Sequence, residues 1–356
     1  MTFVNEAFEK NWVAPLGFNC DAFENEMSDY LKDGSYSLCL NAGTAALHLA
    51  VKLAGVKAGE KVFCSDMTFA ATANPITYEN AVPVFIDSEP DTWNMDPEAL
   101  EKAFEKYPDT RVVMLAHLYG VPAKMDEITD ICERHGAILI EDAAEALAAE
   151  YKGKKCATFG SYCVLSFNGN KIITTSGGGM LVCKSAEDRK KALFWATQAR
   201  EAFPWYQHEE IGYNYRMSNV VAGIGRGQLI HLEEHRDIKE KIYRRYDKAF
   251  MGLPVKMNPY LRDSKPNFWL SCMTVDEGVS VDPLSIMETL ASHNIESRPI
   301  WKPMHMQPVF AECDFISASD SPVNEDVFKR GLCLPSDIKM TDDEQDYVID
   351  LIKNCF

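Results

Sequence analysis

The sequence predicts an α/β protein whose large domain has a mainly parallel mixed sheet between helices and is followed by a smaller C-terminal α+β domain. Three observations lead to this prediction. Short apolar runs alternate with helical patterns from about residue 37 to 185, and such alternation is typical of βαβ units. The pattern changes to a long charged helix near residue 226. The length of 356 residues also exceeds the size at which one hydrophobic core usually stops growing.

The predicted elements of the first half follow one another in a regular order. We predict seven strands, at residues 37–40, 61–64, 82–86, 111–116, 137–140, 161–166 and 179–183. We predict helices at residues 44–54, 71–79, 96–106 and 125–135. Asp96 and Pro97 support the third helix, because a capping side chain there precedes a proline that fits the first helical turn.

The second half is predicted to begin with one long charged helix over about residues 226–250. A proline-containing break at 252–259 follows, and the chain ends in a helix capped by Thr341. We therefore expect a large domain of residues 1–245 and a small domain of residues 246–356. The N-terminal segment, about the first 30 residues, could pack on either part.

Composition restricts the possible partners and the compartment. The net charge of −17, with no Lys/Arg-dense run, makes nucleic acid and anionic membranes poor partners. The eleven cysteines form no CxxC pair and no metal-ligand cluster, so we expect reduced thiols and no metal site. The N-terminus lacks the apolar stretch of a signal peptide, and no apolar run is long enough to span a bilayer. These features predict a cytoplasmic protein.

Two predicted strand ends carry residues that suit a ligand, since ligand contacts in an open α/β sheet come from loops beyond the carboxyl ends of its strands. After the first strand, Gly43, Thr44 and Ala45 open a helix, where free N–H groups favour an anion. An ordinary helix start is the alternative. After the fifth strand, Asp142 either caps a helix or faces a cationic ligand.

One lysine follows the sixth strand, in the segment SFNGNK that ends at Lys171. A lysine in such a place suits Schiff-base chemistry, although the residues alone fit a surface loop equally well. The sequence lacks the motifs of three other kinds of site. The sequence contains no GxGxxG fingerprint between a strand and a helix, no GxxxxGK[ST] phosphate loop and no GxSxG nucleophile elbow.

Nine segments, in their order and spacing, resemble the DegT/DnrJ/EryC1/StrS family of sugar aminotransferases that depend on pyridoxal 5'-phosphate (PLP). They are NWVAPLG, NAGTAALHLA, TFAATANPI, HLYGVPAKMDEI, EDAAEAL, SFNGNKIITTSGGGM, GYNYRMSNVVAGIG, RPIWKPMHMQPVF and RGLCLPS. The resemblance covers roughly residues 11–352. It implies fold type I of PLP-dependent enzymes, the aspartate aminotransferase fold, with PLP as cofactor.

The resemblance also implies a role for each matching residue. Lys171 is implied as the catalytic residue, which bonds to the cofactor and moves a proton between the substrate and cofactor carbons. Asp142 would pair with the pyridinium nitrogen and keep the ring an electron sink. The other implied cofactor-binding residues are Gly43, Thr44, Ala45 and Ser166 around the phosphate, Phe69 stacked on the ring, Glu145 near the phenolic oxygen, and Asn214 from the second subunit of a homodimer with shared active sites.

The substrate side follows from the same resemblance. Trp301, Lys302 and His305 lie where the small domain of the family closes over the substrate, so we expect them to bind it. The motif sequences are most similar to those of the subgroup that aminates UDP-4-keto-6-deoxy-N-acetylglucosamine. Asn168 departs from a frequent His, and an Ala-Ala pair at 148–149 departs from Gly-Ala. We expect transfer of an amino group from L-glutamate to this nucleotide-linked keto-sugar.

Two alternatives come from other functional classes. A PLP-dependent nucleotide-sugar dehydratase or deoxygenase has the same fold, but such relatives carry His in place of the lysine. A non-catalytic PLP-binding scaffold would bind the cofactor and no nucleotide sugar. The presence of Lys171 favours the aminotransferase over the first alternative.

Overall fold

A computed structural model describes the whole chain, from Met1 to Phe356. The helices are α1 (Thr2–Glu9), α2 (Phe18–Leu31), α3 (Gly43–Leu53), α4 (Ala70–Tyr78), α5 (Pro97–Lys106), α6 (Met125–His135), α7 (Ala186–Ala196), α8 (Asn219–Leu229), α9 (Leu232–Ala249), α10 (Pro283–Ser292), α11 (Val323–Arg330) and α12 (Asp342–Lys353). The strands are β1 (Tyr36–Leu40), β2 (Lys61–Ser65), β3 (Val82–Ile86), β4 (Val112–Ala116), β5 (Ile138–Asp142), β6 (Glu150–Tyr151), β7 (Lys154–Lys155), β8 (Tyr162–Ser166), β9 (Gly179–Cys183), β10 (Val255–Met257), β11 (Ser264–Lys265), β12 (Cys272–Val275), β13 (Arg298–Pro299), β14 (Phe315–Ile316) and β15 (Gly331–Cys333).

The central sheet has eight strands in the order β1-β9-β8-β5-β4-β2-β3-β14. Strand β9 is antiparallel to both of its neighbours, and all other pairs are parallel. Alternate residues of β4 face opposite sides: Met114 packs in the core beneath α3 and α4, and Leu115 packs beneath α5 and α6. Helices therefore cover both faces of the sheet, as parallel strands with crossover connections require.

The predicted strands and helices of the first half are confirmed, each to within two residues at either end. Asp96 accepts a hydrogen bond from the Glu98 N–H, which confirms the cap of α5. The single helix predicted over 226–250 is wrong, because α8 ends at Leu229 and α9 begins at Leu232. Glycine-rich α8 has weak helix propensity and is stabilised by packing, since a Cβ on Gly225 would lie 2.5 Å from the Phe23 ring of α2.

The C-terminal part has its own sheet, β10-β12-β15-β13. Its core joins Tyr246 of α9 to Leu332 and Ile349. The predicted break at 252–259 contains β10, and Thr341 caps α12 in a capping box as predicted. Strand β14 returns to the large sheet and pairs with β3. We propose that the domains divide near residue 245, as 1–245 and 246–356. None of the helices combines the length and apolarity needed to cross a membrane.

Candidate active site

A cavity of about 460 Å³ lies at the carboxyl ends of β2, β4, β5 and β8. It brings together eight of the residues that the sequence nominates: Gly43, Thr44, Phe69, Asp142, Glu145, Ser166, Lys171 and Trp301. These residues come from distant parts of the chain and meet because parallel strands end at the same edge of a sheet. The cavity is therefore the candidate active site.

Lys171 lies in the loop after β8 with its side chain only 11% exposed. Its Nζ is 3.5 Å from Glu145 Oε1 and 4.0 Å from the centre of the Trp269 ring. Trp269 donates from Nε1 to the Asn170 carbonyl at 2.7 Å, which fixes the indole beside the amine. The lysine is thus enclosed by the cavity and is not a solvated loop residue.

Asp142 ends β5 and is buried at the cavity floor. Its Oδ2 accepts from Thr72 Oγ1 at 2.7 Å, and its Oδ1 accepts from the Ala144 N–H at 3.0 Å. Burial raises the pKa of Asp142 above its usual value, although these hydrogen bonds and the charge of Lys171 act against burial. A buried carboxylate of this kind is stabilised by a cation, such as the protonated nitrogen of a heterocycle.

Glu145 is a second buried acid, placed by the loop after β5. Its Oε2 accepts from the Tyr119 N–H at 2.7 Å. Asn267 donates from Nδ2 to the Glu145 carbonyl at 2.6 Å, which ties this loop to the segment that carries Trp269. Burial raises the pKa of Glu145 to about 7, against the opposing charge of Lys171.

The start of α3 provides free backbone donors beside Ser166. Ala42 supplies no side-chain cap, and the first backbone hydrogen bond runs from Ala46 to Ala42 at 3.2 Å. The N–H groups of Gly43, Thr44 and Ala45 therefore have no partner within the helix. A Cβ on Gly43 would lie 3.1 Å from Ser166 Cβ. Glycine lets the Ser166 hydroxyl lie close to these donors, an arrangement that suits phosphate.

Aromatic rings line one wall of the cavity. The ring centres of Phe69 and Trp301 are 5.5 Å apart, and those of Trp301 and Tyr119 are 5.2 Å apart. The Trp301 N–H donates to the Tyr119 hydroxyl oxygen at 3.0 Å. Flat rings on one side, a buried acid, a phosphate-type cradle and a lysine amine together fit a phosphorylated pyridine aldehyde such as PLP.

Four nominated residues do not line the cavity. Ala45 lies within the first turn of α3. Asn214 is exposed at the cavity edge, where its carbonyl accepts from Asn41 Nδ2 at 3.1 Å. The Lys302 carbonyl accepts from the Gln307 side chain at 3.2 Å. The ring nitrogens of His305 bond to two carboxylates, described below.

The sequence did not nominate Thr72 and Trp269, which contact Asp142 and Lys171. Thr72 lies in the first turn of α4, and its hydroxyl is 2.6 Å from that of Thr68, which precedes the helix; the sequence gives no specific signal for this contact. The sequence gives no signal for Trp269, because its position depends on contacts with residues about a hundred positions earlier.

Beside the cavity, His117, Glu141 and Cys156 place their polar atoms within 4.8 Å of one another. His117 donates from Nε2 to Glu141 at 2.9 Å and accepts from the Ala123 N–H at Nδ1. Glu141 also accepts from three backbone N–H groups, those of Ala157, Phe159 and Gly160. The cluster is therefore a buried hydrogen-bond network that fixes the end of β5.

Comparison with known proteins shows the family to which the chain belongs. A sequence model of the DegT/DnrJ/EryC1/StrS aminotransferase family matches residues 1–353. EpsN of Bacillus subtilis, named as a pyridoxal phosphate-dependent aminotransferase, is 49% identical over 99% of this chain and 92% of its own length. GDP-perosamine synthase of Caulobacter vibrioides is 34% identical over 98% of this chain and 92% of its own length. A crystal structure of a DegT DnrJ EryC1 StrS aminotransferase from Brucella abortus, 25% identical, superposes with a TM-score of 0.90 and covers 99% of this chain and 94% of that one.

Proposed function

The chain belongs to the DegT/DnrJ/EryC1/StrS aminotransferase family, and from that premise we propose that it moves an amino group from L-glutamate to UDP-4-keto-6-deoxy-N-acetylglucosamine. It is a sugar aminotransferase with PLP as cofactor. The observation that carries the proposal is the enclosed Lys171 amine in a cavity that also holds the buried Asp142 and the open start of α3. When bound, PLP supplies an electron sink for charge that develops on the substrate carbon.

In this proposal Lys171 is the catalytic residue. With PLP bound, its Nζ would take the proton from the α-carbon of glutamate and deliver it to the cofactor carbon that receives the amino group. In the second half it would take a proton from that cofactor carbon and deliver it to the sugar carbon that carried the ketone. Asp142 holds the ring nitrogen of the cofactor in its protonated form. Thr72 and Ala144 each donate a hydrogen bond to one oxygen of Asp142, and these bonds orient its carboxylate.

The remaining cofactor contacts are proposed from the same cavity. The N–H groups of Gly43, Thr44 and Ala45 and the Ser166 hydroxyl bind the phosphate. Phe69 stacks on the ring, and the Glu145 carboxyl faces its phenolic oxygen. Apart from the Phe69 ring, these groups are ordinary side-chain and backbone hydrogen-bond donors and acceptors.

We propose a homodimer in which Asn214 of one copy reaches the phosphate in the other. Lys171 is the only lysine or arginine that lines the cavity, whereas the cofactor phosphate, glutamate and a sugar diphosphate all bring negative charge. Exposed apolar side chains lie along the same face as Asn214, among them Trp12 and Leu16, which are 47% and 53% exposed. A second copy on this face would cover them and add donors to the site.

The identity of the nucleotide rests on the resemblance alone. Trp301 is proposed to contact the sugar because its ring lies next to Phe69 in the aromatic wall of the cavity. Lys302, in the same segment, is proposed to bind the diphosphate. His305 is proposed to act on the substrate only indirectly, because both of its ring nitrogens bond to carboxylates. One relative is named for a GDP-linked sugar and another for a dTDP-linked sugar, so UDP-, GDP- and dTDP-linked 4-keto-6-deoxy sugars are the substrates to compare.

The test is to incubate the purified protein with PLP, glutamate and each of these three sugars, and to follow product mass. We expect the mass change that replacement of a ketone by an amine gives, with the greatest conversion for the UDP sugar. Lys171→Ala should abolish turnover, and Lys256→Ala, at a lysine whose side chain is 78% exposed, is the matched control. Equal turnover by Lys171→Ala and wild type would rule out the assignment of Lys171.

A further inference from the structure

His305 is held by two carboxylates and not by the cavity. Its Nδ1 donates to Asp66 Oδ2 at 2.7 Å, and its Nε2 donates to Glu325 at 3.3 Å. Its ring stacks on Phe315 of β14 with ring centres 4.0 Å apart. Both ring nitrogens are therefore engaged, and the side chain has no free donor to offer a substrate.

Asp66 is the other half of this contact. It follows β2, is completely buried, and forms no ion pair except the one with His305. Its Oδ1 accepts from the His305 N–H at 2.7 Å, and its carbonyl accepts from the Met304 N–H at 2.9 Å. Asn324 donates to the same carboxylate. A buried carboxylate without a partner is energetically costly. The bonds from Asp66 to Met304 and His305 are therefore favoured, and they hold the 304–305 segment in place.

The segments that contain Asp66 and His305 also contain two rings of the aromatic wall of the cavity. Asp66 stands three residues before Phe69, and His305 stands four residues after Trp301. The rings of Phe69 and Trp301 are neighbours in the cavity. On the other side, Trp301 is held only by its N–H bond to Tyr119 and by ring contacts. The Asp66–His305 pair thus joins the backbone of one half of the wall to that of the other.

We propose that His305 is a positioning residue that, through Asp66, fixes Trp301 against Phe69 and so sets the shape of the aromatic wall that faces the keto-sugar. This rests on the proposed function for the identity of the substrate. Lys171, Asp142 and Glu145 form no hydrogen bond with His305 or Asp66. Trp269 and Tyr119 contact Trp301, but their own hydrogen bonds to Asn170 and Glu145 do not depend on His305. Loss of the anchor therefore acts on substrate capture and leaves the proton-transfer groups in place.

The experiment compares His305→Leu, which loses both ring donors, with His305→Asn, whose amide keeps a donor near the Nδ1 position. In the PLP-loaded enzyme His305→Leu should raise KM for the keto-sugar at least about tenfold and change kcat less than about threefold. His305→Asn should restore KM to within about threefold of wild type. His293→Leu, at an exposed histidine of the small domain, is the matched control and should behave as wild type.

Hydrogen–deuterium exchange of peptides that cover 301–306 provides a readout that needs no substrate. His305→Leu should speed exchange there at least about tenfold, with α12 unchanged. Unchanged exchange, faster exchange with unchanged KM, or a fall in kcat alone would each overturn the proposal. If His305→Leu does not fold, His305→Ser replaces it, since its hydroxyl is too short to reach Asp66. Absence of wild-type turnover would reject the substrate, and exchange would still decide whether His305 anchors the segment.

Discussion

Replacement of Glu145 by glutamine tests the energetic cost of the buried acid beside Lys171. Burial raises the pKa of Glu145 from 4.5 to about 7. The folded protein therefore keeps a proton there at pH values at which the unfolded chain has lost it. By linkage, the free energy of unfolding falls as pH rises from about 4.5 to about 7. The difference between the two pKa values corresponds to about 3 kcal/mol.

Glutamine does not titrate, and its amide oxygen can still accept from the Tyr119 N–H. The free energy of unfolding of the cofactor-free protein is measured with denaturant at about pH 4 and about pH 8.5. Between these two pH values it should fall by about 3 kcal/mol more in the wild type than in Glu145→Gln. Glu98→Gln, at a side chain that is 71% exposed, is the control and should follow the wild type. Parallel pH dependence in wild type and Glu145→Gln would refute the argument from burial.

Three further predictions concern the site and the fold. Asp142→Asn should lower kcat at least about a hundredfold in steady-state assays, because an amide does not stabilise a protonated ring nitrogen as a carboxylate does; wild-type kcat would contradict this. Gly179→Ala adds a Cβ 2.3 Å from the Ala42 carbonyl carbon, so it should destabilise the protein by about 1–3 kcal/mol and weaken PLP binding in a fluorescence titration. Thr341→Ala removes the capping box of α12 with Glu344 and should cost about 1 kcal/mol in thermal unfolding without a change in KM.

The active site combines several features that lower stability. Two acids, Asp142 and Glu145, are buried there with one lysine, and burial disfavours the charged form of each carboxyl. Binding of a cofactor with a cationic ring nitrogen would offset part of this cost. We therefore interpret the ring nitrogen as the partner of the buried acids, whereas the cofactor phosphate needs the separate donors at the start of α3.

Much of the large domain could be predicted because its signals are local. Each strand of a sheet covered on both faces is a short apolar run, such as 112–116, and each crossover helix has its own amphipathic period. The caps at Asp96 and Thr341 are also local, since the donor and acceptor lie within a few residues. Where local propensity and packing disagree, as in glycine-rich α8, the prediction failed.

The site required the tertiary structure for its completion. The sequence alone determined that a lysine follows an apolar strand and that acids and a glycine follow others, and the resemblance gave them roles. Only the fold decided that Lys171 is enclosed, because Trp269 packs on it from 98 residues away. Only the fold brought His305 within hydrogen-bond distance of Asp66, 239 residues away. Side-chain contacts between distant segments depend on how sheet edges and loops meet in space, and no local pattern in the chain encodes that meeting.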